Sequence, residues 1–364
     1  MKKVVIEDVH SIIHNYGLDD KWEAFRGKTV LVTGGTSGFL AYFAYVLLEL
    51  NRERGLNCAV ICVARNLEKA RAMYAGYAGD SHLKIYIHDI LEPIDAEDLR
   101  AVAGVEAVDY IVHGAGIAGP KFYTGMPVKV LDTAYFGLRN MFEYAKETAS
   151  AAAGPVILLT SSAAVYGDPL KEDGVGESDY GYMDPLTVRS IYGESKRICE
   201  TMGLAYNIEC ALPVKIARFP NSFGPGARLD KGSALADFLS AALRGEDIVI
   251  QSDGTAKREF LYFTDLVAGL FYVLLSGDVL KPYNIGSGLV YTMKEFARTA
   301  QEVFKEKHIA VKIQGSERLE DQGAPKIKRL SAARLSAARL SALGWRPQIS
   351  LREAVARFKM SVED

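Results

Sequence analysis

From residue 28 to residue 218 short β-branched runs alternate with helical stretches, and the first run stops at a cluster of glycines. The strand candidates are 28–33 (KTVLVT), 57–64 (NCAVICVA), 83–87, 108–112, 156–161 and 214–218. Helical stretches separate them at about 39–54, 67–77, 96–103, 128–148 and 192–207. Strands alternating with helices of this length imply βαβ units and a parallel sheet. The strands are nearly all apolar, which suits a sheet buried on both faces. The expected fold class is α/β: a doubly wound parallel sheet with a smaller, interleaved C-terminal lobe.

Three regions follow from this pattern. Residues 1–27 read as a helical extension, with Val5, Val9, Ile12 and Ile13 on one stripe. Residues 28–218 form the expected dinucleotide-binding domain. Residues 219–364 form mainly a substrate lobe, with helices near 234–243 and 265–275, short strands near 248–250 and 259–263, a last helix from Leu351, and returns to the main sheet. His10 and His14 are four apart on the extension, but no carboxylate is in view to complete a metal site, so an ordinary helix surface is expected and no metal. Residues 329–343 (RLSAARLSAARLSAL) repeat a five-residue unit. A step of five advances about 140° beyond one helical turn, so Leu330, Leu335 and Leu340 cannot form one stripe. A small duplication in a tolerant surface segment is the expectation.

Composition narrows the function. The chain has 364 residues, 43 Lys plus Arg against 45 Asp plus Glu, and a net charge of −2. That balance argues against a broad basic face for nucleic acid. The longest apolar runs, 39–48 and 266–275, fall well short of the ~18 residues of a membrane span. Glu7 and Asp8 interrupt the N-terminal apolar stretch, so neither a secretory signal nor a membrane partner is expected. Cys58, Cys62, Cys199 and Cys210 make no CxxC pair and read as reduced, buried thiols of a cytoplasmic protein.

Five places carry chemistry. The turn Thr33-Gly34-Gly35-Thr36-Ser37-Gly38-Phe39-Leu40-Ala41 follows a strand and opens a helix. Glycines there let a pyrophosphate approach backbone N–H groups at the positive end of the helix dipole. The second strand ends in Ala64-Arg65-Asn66. An acid at this point would hold the ribose hydroxyls of NAD, whereas Arg65 can pair with a 2′-phosphate, so the local chemistry favours NADP. Asp89-Ile90 follows the third strand, where an Asp can accept from an adenine amino group. Gly114-Ala115-Gly116 follows the fourth and lets a cofactor lie against the strand ends. Finally, Tyr192 and Lys196 in YGESK are four apart on a helix. An ammonium beside a phenol favours the phenolate, which makes Tyr192 a candidate general base. Ser162, at the end of the fifth strand, could bond the reacting oxygen.

Taken together these motifs resemble the extended short-chain dehydrogenase/reductases, specifically the NAD-dependent epimerase/dehydratase family that acts on nucleotide sugars. The resemblance covers about residues 26–362 and includes residues 218–226 (RFPNSFGPG), 253–260 (DGTAKREF), 283–286 (YNIG) and 343–347 (LGWRP). It implies a Rossmann sheet, a tightly bound NAD(P), and a nucleotide-diphosphate sugar as substrate. Carried over residue by residue, the resemblance makes Ser162, Tyr192 and Lys196 catalytic. Gly34, Gly35, Gly38, Phe39, Leu40, Arg65, Asp89, Ile90, Ala115 and Gly116, with Tyr192 and Lys196, become cofactor contacts. Ser162, Asn221 and Arg258 become substrate contacts, Asn221 and Arg258 at the diphosphate. It also implies a homodimer through helices near 128–148 and 192–207.

The chain departs from the family in informative ways. Dehydratases carry an Asp-Glu pair straight after the position of Ser162, and decarboxylases of the glucuronate type carry a Glu at the second of those positions; this chain has Ala163 and Ala164. Epimerisation through a transient 4-keto sugar needs the least additional machinery and is the expected reaction. A 4,6-dehydratase or a 4-keto reductase of the same family is the rival, and a catalytically silent dinucleotide sensor is the alternative from another class. The Gly-rich turn holds one more residue than the usual spacing, with Ala41 in place of the third glycine. The repeat lies where the family often supplies another diphosphate-binding Arg, for which Arg329, Arg334 and Arg339 are candidates.

Overall fold

The computed structural model describes residues 1–149, 154–169, 171, 174–315 and 334–363. Helix α1 (Lys3–Asn15) precedes a regular series: β1 (Thr29–Thr33), α2 (Gly38–Arg54), β2 (Ala59–Ala64), α3 (Leu67–Met73), β3 (Leu83–Ile87), α4 (Ala96–Ala103) and β4 (Tyr110–His113). The series continues through α5 (Pro120–Gly125), α6 (Pro127–Thr148), β5 (Val156–Thr160), α7 (Ser190–Cys210) and β6 (Val214–Arg218). Beyond it lie β7 (Asn221–Phe223), α8 (Ala234–Arg244), β8 (Ile248–Ile250), β9 (Lys257–Tyr262), α9 (Phe263–Ser276) and β10 (Pro282–Asn284). The last elements are β11 (Val290–Thr292), α10 (Met293–Val303), β12 (Val311–Ile313), α11 (Ala338–Ala342) and α12 (Leu351–Glu363).

Seven strands form one parallel sheet in the order β10-β6-β5-β4-β1-β2-β3. The order reverses between β1 and β4, and the carboxyl ends at such a switch point are where open sheets bind ligands. Alternation along each strand feeds two cores. Val30, Val32, Val60, Cys62 and Leu158 join α1, α2 and α9 on one face. Leu31, Ile61, Val63, Ile157 and Leu159 join α4, α6 and α7 on the other. Helix α2 is apolar almost all round because it is covered by the sheet on one side and by α1 and α9 on the other.

Two smaller sheets, β11-β9-β7 and β12-β8, pack with α8, α10 and α12 around a third core. The five three-residue strands β7, β8, β10, β11 and β12 owe their pairing to distant partners, and of these only β8 shows in the sequence pattern. Helix α9 begins at Phe263, two residues before the expected start, and α5 and α10 were not expected.

Several expectations need correcting. The RLSAA repeat is not a tolerant surface segment in its described part: Leu335 is 1% exposed and Leu340 is fully buried. Leu335 packs with Val165, Tyr166 and Val175, and Leu340 joins the main core, so the two leucines serve different neighbours and need no common stripe. Residues 329–333, including Arg329, lie outside the described residues. A carboxylate does stand beside the histidines of α1: Glu53 faces His14 at 3.1 Å and His10 at 3.6 Å, which ties α1 to α2. All four cysteines are free, but Cys210 is only half-buried. No helix among the described residues is long and apolar enough to cross a membrane.

Candidate active site

The carboxyl ends of β1, β4 and β5 lie side by side in the sheet, and α7 packs beside the turn that follows β5. At the end of β1, Gly34 has φ +74°, and a Cβ there would lie 3.0 Å from the Ala115 nitrogen. A side chain at Gly38 would meet the Phe263 ring at 2.4 Å. The Gly35 carbonyl accepts from Tyr74 at 2.6 Å. Phe39 lies edge-on to Phe219, with ring centroids 5.5 Å apart, and Leu40 is buried against Gly114. The first N–H groups of α2 have no intrahelical acceptor. Ser37, the residue that opens this helix, has a buried hydroxyl with no hydrogen-bond partner among the described residues. An orphaned hydroxyl beside free N–H groups, on a turn with no room for a Cβ, fits the pyrophosphate of a dinucleotide.

The remaining cofactor candidates line the same edge of the sheet. Arg65 follows β2 and stands 4.0 Å from Asp89, which follows β3. Asn66 is engaged locally, its side chain accepting from the Lys69 N–H to cap α3. Ile90 is buried against Gly137 of α6, and its carbonyl accepts from Asn140. Thr33 Oγ1 accepts from the Gly114 and Ala115 N–H groups, both at 3.2 Å, which locks β1 to the turn after β4. Among the described residues, nothing beyond its two chain neighbours stands within 4 Å of a Cβ placed on Gly116.

The candidate catalytic side chains come from β5 and α7. Ser162 opens a 3₁₀ turn, Ala163–Tyr166, and its Oγ accepts from the Ala164 N–H at 3.1 Å. That acceptance leaves the hydroxyl proton free to donate. The turn touches α7: a Cβ at Gly193 would lie 3.1 Å from the Ala164 carbonyl. On α7, Lys196 Nζ donates to the Thr160 carbonyl at 2.9 Å and lies 5.9 Å from the centre of the Tyr192 ring. Asn221 on β7 and Arg258 on β9 come from strands that pair with each other, Asn221 opposite Phe260.

Three neighbours of the site were missed in the sequence. Tyr123, on α5, stacks on Tyr192 with ring centroids 5.3 Å apart, while its hydroxyl accepts from the Gly119 N–H. No local pattern marks it, because the contact joins residues far apart in the chain. His113 at the end of β4 is bonded to Thr33, and burial, assisted by the Lys196 charge, pushes its imidazole down to about 3, so the ring is neutral. Glu200 had a readable signal: it continues the Tyr192-Lys196 spacing by one more turn. Its carboxylate takes a two-point contact from the buried Arg218, at 2.9 and 2.6 Å, and accepts from Ser161.

The profile of the NAD dependent epimerase/dehydratase family matches residues 30–286. The chain belongs to this family. UDP-glucuronic acid decarboxylase 6 of Arabidopsis thaliana is 34% identical over 326 residues, covering 90% of this chain and 86% of that one. UDP-glucuronic acid decarboxylase 1 of Xenopus tropicalis is 31% identical over 277 residues, covering 76% and 60%. Among solved structures, an epimerase from Methanothermobacter thermautotrophicus superposes with a TM-score of 0.78 at 23% identity, covering 96% of both chains. UDP-glucuronic acid 4-epimerase from Bacillus cereus, in complex with UDP-glucuronic acid and NAD, gives 0.74 at 19% identity, covering 92% and 99%. These two share the fold. Family membership makes this chain an enzyme of an NAD-dependent family.

Proposed function

We propose that this enzyme is a nucleotide-sugar epimerase that oxidises its sugar transiently, at C4, and returns the hydrogen to the opposite face of the ring. The observation that carries this reading is the turn after β5, where Ser162 is followed by Ala163 and Ala164 on a chain that keeps Tyr192 and Lys196. An alanine cannot transfer a proton, so the chemistry is confined to what the other three side chains do. When bound, a nicotinamide cofactor supplies reversible hydride transfer. Tyr192 takes the proton of the sugar hydroxyl and later gives it back. Lys196, held beside Tyr192 by its bond to the Thr160 carbonyl, has donors left for the nicotinamide ribose. Ser162 donates its free proton to the reacting oxygen, and Asn221 and Arg258 hold the diphosphate. Rotation of the keto sugar between the two transfers inverts the centre.

The decarboxylase relatives favour a second reading. A 4-keto uronate is a β-keto acid: its CO₂ leaves and the bonding electrons pass onto the 4-oxygen, which Ser162 and Tyr192 would hold. Against it, Ala163 and Ala164 leave no side chain on that turn to protonate C5. The cofactor is proposed to be NADP, because Ala64 stands where an acid would select NAD and Arg65 beside it can pair with a 2′-phosphate. A homodimer is proposed through α6 and α7, which pack together and expose Leu131, Tyr135, Phe136, Ile198, Leu204 and Ile208.

The test begins with the purified protein. Mass spectrometry of the released dinucleotide distinguishes NADP from NAD. Proton NMR of reactions with UDP-, dTDP-, CDP- and GDP-sugars, UDP-glucuronate included, then separates the outcomes. A new hydroxyl configuration supports the epimerase, a pentose product supports the decarboxylase, and a 6-deoxy-4-keto sugar overturns both.

A further inference from the structure

The second unit of the RLSAA repeat lies directly behind the turn that carries Ser162. Residues 334–336 form a parallel bridge with Val175: the Val175 N–H donates to the Arg334 carbonyl at 2.7 Å, and the Ser336 N–H donates to the Val175 carbonyl at 2.9 Å. Between these bonds the Leu335 side chain enters a small apolar cluster with Val165, Tyr166 and Val175, against which Ala163 packs. Three of those five residues belong to the 3₁₀ turn after Ser162. Asn284 closes the same unit. Its Nδ2 donates to the Val175 and Ser336 carbonyls, and its Oδ1 accepts from the Tyr166 hydroxyl at 2.6 Å.

A buried carboxylate holds this segment from the other side. Glu259 is 2% exposed, and its Oε2 accepts the Leu335 N–H at 2.8 Å. Its Oε1 accepts from the Gly288 N–H at 2.8 Å and from the Ser287 hydroxyl at 3.2 Å. The described partners of this carboxylate are two backbone N–H groups and a hydroxyl. A carboxylate buried among donors alone is costly, and burial pushes Glu259 up to about 7 despite those bonds. Glu259 follows Arg258 on β9, so the same strand carries the proposed diphosphate ligand and the anchor of the segment behind Ser162.

We propose that residues 334–336 are a strap that positions the Ser162 turn, with Leu335 and Glu259 as its positioning residues. The strap gives the repeat a function: one unit seats Leu335 against the turn, and the next seats Leu340 in the main core. Neither Leu335 nor Glu259 is assigned a contact with the reacting atoms. They act through the backbone of residues 162–166, which sets where the Ser162 hydroxyl points. The proposal rests on the catalytic reading of Ser162, and its test therefore includes a measurement that needs no substrate.

The test compares Leu335→Ala, Leu335→Met and Glu259→Gln in the full chain. Hydrogen–deuterium exchange should show faster exchange of amides 162–168 in Leu335→Ala and Glu259→Gln, with the peptide across β1 and α2 unchanged. Leu335→Met should keep the wild-type pattern, since it preserves the volume. With the sugar that the NMR panel identifies, Leu335→Ala should lose about 10- to 100-fold in kcat, as expected for a misplaced reacting group, with the dinucleotide still bound and KM little changed. Unchanged exchange at 162–168 in both disruptive variants would overturn the strap and leave the epimerase reading intact. Faster exchange with wild-type kcat would instead overturn the catalytic assignment of Ser162. If Leu335→Ala fails to fold, Glu259→Gln carries the same comparison.

Discussion

His113 is buried at the end of β4, bonded to Thr33 and close enough to Lys196 to feel its charge. Its pKa falls from the ordinary 6.5 to about 3. The unfolded chain therefore binds a proton in this window that the native state refuses. The resulting stability is present above about pH 6.5 and is lost as pH falls toward 3. Thermal unfolding measured between pH 7 and pH 4 should show a decline that His113→Asn flattens. Tyr192 belongs to the same scale. Tyr192→Phe keeps the ring that stacks on Tyr123 but removes the hydroxyl, so turnover should fall by about 10²- to 10⁴-fold while the dinucleotide stays bound. Undiminished turnover would remove Tyr192 from the mechanism.

At the scale of elements, α1 is a tie rather than a preface. Asp8 is fully buried and accepts from Tyr42 on α2, Tyr262 on β9 and Arg357 on α12. One carboxylate thus joins the helix that opens at Gly38 to the strand that carries Arg258 and to the last helix of the chain. Asp8→Ala would leave the half-buried Arg357 its longer 3.9 Å contact with Glu7 and strip the Tyr42 and Tyr262 hydroxyls of their acceptor, and should cost about 3 kcal/mol of unfolding free energy in denaturant titrations. Asp8→Asn retains an acceptor and should cost less. The apolar stripe of α1 was readable in the sequence, because Val5, Val9, Ile12 and Ile13 recur with the helical period. Asp8 was not readable as a hub, since its partners lie 34 to 349 residues away. The strands β7, β10, β11 and β12 escaped notice for a related reason. Three residues carry too little alternation to announce a strand, and pairing with β9, β6 or β8 is what makes them strands.

For the whole molecule, the exposed faces of α6 and α7 are the surface through which the proposed homodimer would form. Phe136 is 46% exposed and Ile208 73% exposed, on two helices that already pack against each other. Two such pairs meeting face to face would bury both stripes as a four-helix bundle. Sedimentation at micromolar concentration should give a dimer, and Phe136→Asp combined with Ile208→Asp should give a folded monomer. A monomer in the wild type would remove the bundle. The charge balance also reads differently at this scale. With a net charge of −2, the positive potential for two pyrophosphates has to be local. In the proposed reading the N-terminus of α2, Arg65 and Lys196 supply it along the main sheet, and Arg258 supplies it from β9. The alternation of strands and helices, the Gly-rich turn and the YGESK spacing are local patterns, so the sequence alone determined the parallel sheet, the cofactor edge and the Ser162, Tyr192 and Lys196 candidates. Tyr123 against Tyr192 and Leu335 with Glu259 behind the Ser162 turn were decided only by the tertiary structure, as was the choice of Arg218 as partner of Glu200, whose place on the Tyr192-Lys196 face was readable. These pairs are created by packing between segments remote in the chain, where a buried polar group takes whatever partner the fold brings to it, and no periodicity records that choice.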